Sequence, residues 1–280
     1  MDTRKTVVIT GASDGIGAAA ARELSRRGHE VVVVGRSKDK TFAVAGEIGA
    51  ASFIADFTRL DEVRTLAAEL NDRYSRIDVL ANNAGGVFGD PTKTVDGHER
   101  TFQINHLAPF LLTTLLMDKL TASRASIVQT TSHGARFARK IDVDDLYLDR
   151  KFDPVRAYAA AKLENILFTK ELDRRYRSAG IAAVCFTPGD VATSFGSEST
   201  SRLMKFIATN RITRSMLTTP EKGADTLVWL AERTPGKDWT PGCYYKSRKQ
   251  RKPPSGQADD ETLARLEGEN QVVFRYLGNR

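Results

Sequence analysis

Runs of consecutive apolar residues alternate along the chain with longer segments that have helical spacing. Residues 31–34 are four valines in a row. A strand with one face in water would alternate apolar and polar positions, so this strand is expected to be covered on both faces, as in parallel sheets. The same pattern predicts strands at residues 7–9, 51–55, 77–81, 126–129 and 181–186, and helices at residues 16–27, 60–74, 95–120, 155–177 and 220–232.

This alternation predicts right-handed βαβ units and therefore an α/β fold, a doubly wound parallel sheet of the Rossmann type. No change in composition marks a second domain, so residues 1–280 are expected to form one domain. Three stretches depart from the pattern: a charged insertion at 133–154, a Ser/Thr-rich segment at about 194–219, and a basic, polar tail at about 246–280. The Ser/Thr-rich segment is expected to be a small lid over an apolar substrate, because it contains Phe195, Leu203, Met204, Phe206 and Ile207.

Composition excludes a disordered chain, because 41% of the residues are hydrophobic and 28% are charged. The two cysteines, Cys185 and Cys243, cannot build a disulfide scaffold, so a reducing, cytoplasmic location is expected. The longest apolar run, residues 107–117, is shorter than the roughly 20 residues that a membrane span needs. Residues 1–5 lead directly into the first strand, so neither a transmembrane anchor nor a signal peptide is expected.

The net charge of +7 attracts anions, but it fits a polyphosphate ligand, nucleic acid or simple solubility equally well. The basic cluster at residues 246–252 could contact nucleic acid or an anionic membrane surface. Such runs are more often solvated, and no nucleic-acid-binding motif is present, so no nucleic-acid partner is predicted. The histidines lack metal-ligand spacing, and no metal site is predicted.

A glycine-rich turn follows the first strand: Thr10-Gly11-Ala12-Ser13-Asp14-Gly15-Ile16-Gly17. Glycines let backbone approach a pyrophosphate closely, and the N-terminus of the next helix supplies N–H donors and partial positive charge. The position between a strand and a helix favours a dinucleotide site over a purely structural turn. The spacing is G-x-x-x-G-x-G rather than the usual G-x-G-x-x-G.

The end of the second strand, Gly35-Arg36-Ser37, bears on the choice of cofactor. An NAD-binding fold usually has an acid here for the adenosine ribose 2′-hydroxyl. Arg36 instead suits a 2′-phosphate through charge-assisted hydrogen bonds, which favours NADP(H) over NAD(H). Asp14 in the glycine turn would oppose a phosphate, and a merely solvated arginine is the alternative interpretation.

Tyr158 and Lys162 are four residues apart on a predicted helix and therefore share one face. A free phenol has a pKa of about 10, and a nearby cation favours its ionised form, which suits proton transfer. Ser132 follows one predicted strand and Asn82-Asn83-Ala84-Gly85 ends another, both at the carboxyl edge where doubly wound sheets bind ligands. Thr131 is the competing hydroxyl and is expected to face the other way.

In combination these residues resemble the short-chain dehydrogenase/reductase superfamily. The resemblance rests on the glycine turn, the Asn82–Gly85 motif, the Tyr-x-x-x-Lys pair and Pro188-Gly189-Asp190-Val191-Ala192-Thr193, and it spans at least residues 6–245. Within that superfamily the chain is similar to the retinol dehydrogenase-like group, through Asn105-His106-Leu107 and Phe110-Leu111-Leu112-Thr113, through Lys162-Leu163-Glu164-Asn165, and through the insertion before Tyr158. This likeness alone does not establish a retinoid substrate.

The resemblance implies an oxidoreductase that transfers a hydride between nicotinamide and an alcohol/carbonyl pair. Tyr158 would exchange the proton, Ser132 would hydrogen-bond the reacting oxygen, and Lys162 would lower the phenol pKa and bind the nicotinamide ribose. Asn105 would hold a water in a proton relay behind Lys162. Cofactor contacts are expected at Gly11, Ser13, Asp14, Gly15, Ile16, Gly17, Arg36, Ser37, Asp56, Phe57, Asn83, Ala84, Gly85, Tyr158, Lys162, Pro188, Gly189, Val191 and Thr193.

The leading hypothesis is therefore an NADP(H)-dependent enzyme with a small, apolar carbonyl or alcohol substrate. The alternative is a non-catalytic dinucleotide-sensing or scaffold protein on the same fold, since fold does not dictate function. A complete Ser132, Tyr158, Lys162 and Asn105 set argues against a sensor, which does not need a proton-transfer group. A homodimer through the helices at 95–120 and 155–177 is a further expectation, although the insertion at 133–154 could interfere with it.

Overall fold

A single eight-stranded sheet organises the part of the chain that the computed structural model describes, which is residues 4–138, 145, 150–189 and 218–254. The strands are β1 Thr6–Thr10, β2 Glu30–Gly35, β3 Ala51–Ile54, β4 Val79–Asn82, β5 Ser126–Thr130, β6 Ala182–Thr187, β7 Tyr244–Lys246 and β8 Lys249–Arg251. Their order is β3-β2-β1-β4-β5-β6-β7-β8. All neighbours are parallel except the last pair, β7 and β8, which confirms the predicted doubly wound parallel sheet.

Helices cover both faces of this sheet. They are α1 Gly15–Arg26, α2 Lys38–Ile48, α3 Leu60–Arg73, α4 Arg100–Phe102, α5 Ala108–Leu115, α6 Met117–Ser123, α7 Pro154–Tyr176 and α8 Pro220–Glu232. A π-helical segment, Gln103–Leu107, joins α4 to α5, and a 3-10 helix, His133–Ala138, follows β5. None of the helices in the described ranges is both long and apolar enough to cross a bilayer.

Alternate residues of the central strands enter two separate hydrophobic cores. Val8 packs into the core that includes α3, α5 and part of α7, whereas Val7 and Ile9 pack into the core formed with α1 and α8. Val32 and Val31 of β2 divide in the same way. The run of valines is therefore explained, because a residue on either side of the strand is buried.

The order of the strands reverses direction between β1 and β4. β1 pairs with β2 on one side and with β4 on the other, with Ile9 opposite both Val33 and Ala81. The connections therefore diverge at this point and leave a crevice outside the carboxyl ends of the two strands. Ligands of open α/β sheets bind in such a crevice.

The predicted helix at 95–120 differs from the structure at both ends and in the middle. The helix begins only at Arg100, after Glu99 accepts hydrogen bonds from the backbone N–H groups of Thr101 and Phe102. It is interrupted by the π-helical segment and again at Leu116 before α6 ends at Ser123. A π-helical turn holds one extra residue, and its apolar and polar spacing differs too little from that of an α-helix to be recognised.

The sequence analysis missed one helix, α2, and one β-hairpin, formed by β7 and β8. Helix α2 follows Ser37 directly and contains Gly46, and its Phe42 is exposed, so its amphipathic pattern is weak. Strands β7 and β8 form a hairpin across Ser247 and Arg248, both with positive φ. This hairpin includes much of the basic cluster that was expected to be a polar tail. The remainder of that tail, from residue 255, lies outside the described residues.

Candidate active site

The glycine turn between β1 and α1 leaves no room for side chains at two positions. A methyl group on Gly17 would lie 2.3 Å from the carbonyl oxygen of Gly11, and one on Gly11 would lie 2.8 Å from Cα of Ala84. Gly11 and Gly15 also have positive φ values of 65° and 53°, which glycine adopts at little cost. The tight turn brings bare backbone and the N-terminus of α1 to the crevice.

Asn83 fastens this turn to the neighbouring strands. Its Nδ2 donates to the carbonyl oxygens of Thr10, at 3.0 Å, and Gly11, at 3.4 Å. Its Oδ1 accepts from the hydroxyl of Thr130 at 3.4 Å. The backbone N–H groups of Asn83 and Ala84 both donate to the hydroxyl of Thr10. These bonds join the ends of β1, β4 and β5 into one rigid edge.

Arg36 and Ser37 are exposed at the end of β2, beside the glycine turn. Asp14 caps α1: one carboxylate oxygen accepts from the N–H of Gly15 at 2.7 Å, and the other lies 2.9 Å from Nζ of Lys40. The Lys40–Asp14 ion pair reduces the negative charge that would oppose a phosphate at this place. Lys40 was not singled out from the sequence, because only the fold brings α2 against the turn.

The remaining predicted cofactor contacts follow β3 and β6. Asp56 lies at the carboxyl edge after β3 and accepts from the N–H of Thr58, while Phe57 is buried in the core. Pro188 and Gly189 follow β6, and Gly189 has a φ of 83°. Val191, Thr193 and nearly all of the predicted lid at 194–219 lie outside the described residues.

Ser132 and Tyr158 meet beside Gly134. A methyl group on Gly134 would lie 3.3 Å from Oγ of Ser132 and 3.6 Å from Cε1 of Tyr158. Both side chains are partly accessible. Thr131, the competing hydroxyl, is buried and donates to the carbonyl oxygen of Lys162 at 2.6 Å. The hydroxyl of Thr131 therefore serves to join β5 to α7, and Ser132 is the hydroxyl left at the crevice.

Lys162 lies behind Tyr158, with Nζ 5.7 Å from the centre of the phenol ring. The ammonium group donates to the carbonyl oxygen of Thr130 at 3.2 Å. A methyl group on Gly85 would lie 3.1 Å from this Nζ and 2.5 Å from Oδ1 of Asn105. Gly85 thus allows its backbone to lie directly against both side chains. The fold brings Ser132, Tyr158, Lys162 and Asn105 together at one edge of the sheet.

The side chain of Asn105 is occupied by the fold itself. Its Nδ2 donates to the carbonyl oxygens of Gly86 and Thr101, both at 2.8 Å, and its Oδ1 accepts from the N–H of Gly86 at 3.2 Å. Both amide hydrogens are therefore used. This bonding fixes the loop after β4. A water in the predicted relay could bind the Asn105 side chain only through the second lone pair of Oδ1.

Burial changes the charge states near the site. Desolvation lowers the pKa of Lys162 to about 7 and that of His106 to about 4. Desolvation, together with repulsion from Glu99, raises the pKa of Glu164 to about 8. Each shift has the sign expected when burial penalises the charged form. At neutral pH the His106 ring is thus uncharged, and burial weakens the preference of Lys162 for its charged form.

Comparison with known proteins agrees with this geometry. The sequence model of the short chain dehydrogenase family matches residues 5–203. The chain belongs to this family. It is 41% identical to a protein of Streptomyces sp. (strain C5) provisionally named daunorubicin C-13 ketoreductase DnrU, over 93% of this chain and 88% of that protein. It is 36% identical to human retinol dehydrogenase 13, over 93% of this chain and 81% of that one.

A solved short-chain dehydrogenase from Sphingobium yanoikuyae, in complex with NADPH, has the same fold. The two chains superpose with a TM-score of 0.63 at 25% identity, over 80% of this chain and 83% of the other. The protein is thus a short-chain dehydrogenase/reductase and resembles the retinol dehydrogenases, which places it among oxidoreductases acting on alcohols and carbonyls.

The residues present fit the dinucleotide that this family fold implies. The glycine turn and the N-terminus of α1 offer bare backbone to a pyrophosphate, and Gly85 lets backbone lie directly against Lys162 and Asn105. Sequence reasoning assigned no site role to three polar residues near this edge: Lys40, which it did not mention, and the buried Glu164 and Asn165, which it noted only as part of the motif after Lys162. Their spacing carried no signal, because each acquires its neighbours from a different element.

Proposed function

We propose that this short-chain dehydrogenase/reductase uses NADP(H) to interconvert an apolar alcohol and the corresponding ketone or aldehyde. The observation that carries the proposal is the convergence of Ser132, Tyr158 and Lys162 at the carboxyl edge of the sheet. A dinucleotide-sensing protein would have no use for a phenol with a buried amine behind it. The placement therefore supports proton transfer next to the expected nicotinamide site.

Tyr158 would be the general acid during reduction and the general base during oxidation. In reduction its hydroxyl gives a proton to the substrate oxygen, and Ser132 donates a hydrogen bond to that same oxygen as negative charge develops on it. The positive charge of Lys162 favours the phenolate that remains. The bound nicotinamide supplies the hydride that completes the alcohol, or accepts it in the reverse direction.

Binding of the dinucleotide is assigned to the edge from α1 to β6. The N-terminus of α1 and the glycine turn would hold the pyrophosphate, and Lys162 would hydrogen-bond the nicotinamide ribose. Asp56 would lie near the adenine. Arg36 would hold the 2′-phosphate, assisted by the neutralisation of Asp14 through Lys40. NADPH in the Sphingobium structure supports the same class of cofactor here.

The variant Arg36→Asp tests the choice between the two cofactors. Loss of the guanidinium and gain of a negative charge should raise the Kd of NADPH about 100-fold but that of NADH less than about threefold. Titration of nicotinamide fluorescence measures both constants. Arg233→Asp is the control, because it makes the same charge change at an exposed residue just after α8, away from the glycine turn. Equal losses for both cofactors would refute the 2′-phosphate assignment.

An apolar substrate is supported by surface next to the site and by the relatives. Two large apolar residues close to the site in sequence are exposed. Phe137 lies five positions after Ser132, and Val155 lies three positions before Tyr158. The predicted lid adds further apolar residues. The relatives are named for the reduction of a ketone and for the dehydrogenation of retinol, both of them reactions at a carbon that carries oxygen.

A panel of carbonyls and alcohols tests the function directly. The purified protein is mixed with aliphatic, aromatic and polyene aldehydes, ketones and alcohols, and the absorbance of reduced nicotinamide is followed with both cofactors. The expected result is turnover of apolar members with kcat/KM at least about tenfold higher for NADP(H) than for NAD(H). Tight NADPH binding without turnover of any member would favour the sensor instead.

A further inference from the structure

Asn165 is a buried amide on α7, one helical turn after Lys162 and on the same face. It has no role in the proton transfer described above. Its side chain nevertheless contacts two separate elements of the site, the π-helical segment and the end of β5. Nδ2 donates to the carbonyl oxygen of Asn105 at 3.0 Å and to that of Thr130 at 3.4 Å, and Oδ1 lies 3.1 Å from Nδ1 of His106.

The surroundings fix the orientation of this amide. Two carbonyl oxygens lie on one side of it, and carbonyls only accept hydrogen bonds, so the NH₂ group must face them. Oδ1 then faces His106 and can only accept, so the ring must carry its proton on Nδ1. Burial lowers the pKa of His106 to about 4, so the ring is neutral at pH 7 and holds a single ring proton.

The two carbonyls that Asn165 holds are important for Lys162. The oxygen of Thr130 is also the acceptor for Nζ of Lys162, at 3.2 Å. The backbone oxygen of Asn105 belongs to the π-helical segment. The side chain of the same residue lies against Gly85, as does the ammonium group of Lys162. The Asn165 amide therefore joins the end of β5 to the π-helical segment, and both of these elements contact or lie near the Lys162 ammonium group.

We propose that Asn165 is a positioning residue that sets the place of the Lys162 ammonium group behind Tyr158. It does so through the Thr130 carbonyl and the Asn105 backbone, without touching substrate or cofactor. This inference rests on the proposed function, because it assigns to Lys162 the task of favouring the Tyr158 phenolate.

The pH profile of alcohol oxidation in Asn165→Leu tests this role. Oxidation needs the phenolate, so kcat rises as pH increases through the pKa of Tyr158. When the Thr130 carbonyl and the π-helical segment are released, Lys162 moves relative to the phenol and stabilises the phenolate less. The apparent pKa should rise by about one unit, and kcat at pH values well below that pKa should fall about tenfold. The Kd of NADPH should stay within about threefold of the wild-type value.

Thr169→Val is the matched control. Thr169 is buried on the same helix, and its hydroxyl donates to the carbonyl oxygen of Asn165 at 2.8 Å and also interacts with the Cys185 thiol. Its replacement is isosteric and should change stability but leave the apparent pKa in place. If Asn165→Leu lowers kcat with an unchanged apparent pKa, as a merely structural role predicts, the inference is wrong.

A measurement on the wild-type protein covers the case in which Asn165→Leu does not fold. Nitrogen-15 NMR of the His106 ring, assigned by comparison with His106→Gln, should show the Nδ1–H tautomer at pH 7. The Nε2–H tautomer would reverse the amide of Asn165 and overturn the inference. Failure of the proposed function is distinguishable, because it appears as an absence of wild-type turnover across the panel, whatever the tautomer.

Discussion

Tyr158→Phe should abolish turnover while leaving the cofactor site intact. Removal of the hydroxyl takes away the proposed proton donor to the carbonyl oxygen, and kcat should fall by about 1,000-fold or more, equivalent to roughly 4 kcal/mol of transition-state stabilisation. Because the ring remains, its packing against Lys162 should be preserved. Reduced-nicotinamide absorbance with the best substrate of the panel measures the loss, and fluorescence titration measures NADPH binding.

Tyr176→Phe is the control for this variant. It makes the same chemical change at the end of the same helix, where Tyr176 packs against the hydrophobic core far along α7 from Tyr158. Its activity should equal that of the wild type within about twofold. A Tyr158→Phe enzyme that keeps a substantial part of its activity would show that another group moves the proton, and the mechanism proposed for Tyr158 would be wrong.

Glu164→Gln should make the protein more stable, and by an amount that increases with pH. Glu164 is fully buried on α7, and neither carboxylate oxygen has a hydrogen-bond partner among the residues described. Burial and the nearby Glu99 raise its pKa from 4.5 to about 8. Between these two pH values the unfolded chain releases the proton that the folded chain keeps, so the wild type loses stability as pH rises.

The size of this effect follows from the two pKa values. Below pH 4.5 both states are protonated and the variant should match the wild type. Above pH 8 the whole penalty is present, so the free energy of unfolding of Glu164→Gln should exceed that of the wild type by roughly 5 kcal/mol. Urea unfolding at pH 5, 6.5 and 8 measures the difference (about 1.4 kcal/mol per pH unit within the window).

Glu171→Gln is the control, and its effect on the free energy of unfolding should have the opposite sign. Glu171 is also buried on α7, but its carboxylate pairs with Arg174 and Arg175. Its neutralisation should lower stability at pH 8, because the arginines lose their partner. If Glu164→Gln lowers stability to the same extent at pH 8, Glu164 has a partner that compensates its charge, and the prediction is contradicted.

The strands of the core were predictable because burial on both faces leaves a direct mark on the sequence. The valines of β2 and the apolar runs of β1, β5 and β6 are short, which is typical of strands covered on both faces. Helix α2 and the β7–β8 hairpin were missed for the opposite reason. They lie towards the outside of the sheet, and their exposed residues carry no strong periodicity.

The sequence by itself determined the doubly wound sheet, the glycine turn and the residue types of the site, because local spacing records which residues are buried and which helix face they share. The choice of Ser132 over Thr131 was also predictable, but only the tertiary structure decided what the Thr131 hydroxyl binds, which is the Lys162 backbone, and that Ser132 lies beside Tyr158. It also decided the partners of the buried polar groups. A hydrogen bond or a charge interaction between distant segments depends on atoms that come together only after folding, and no pattern within one segment records it.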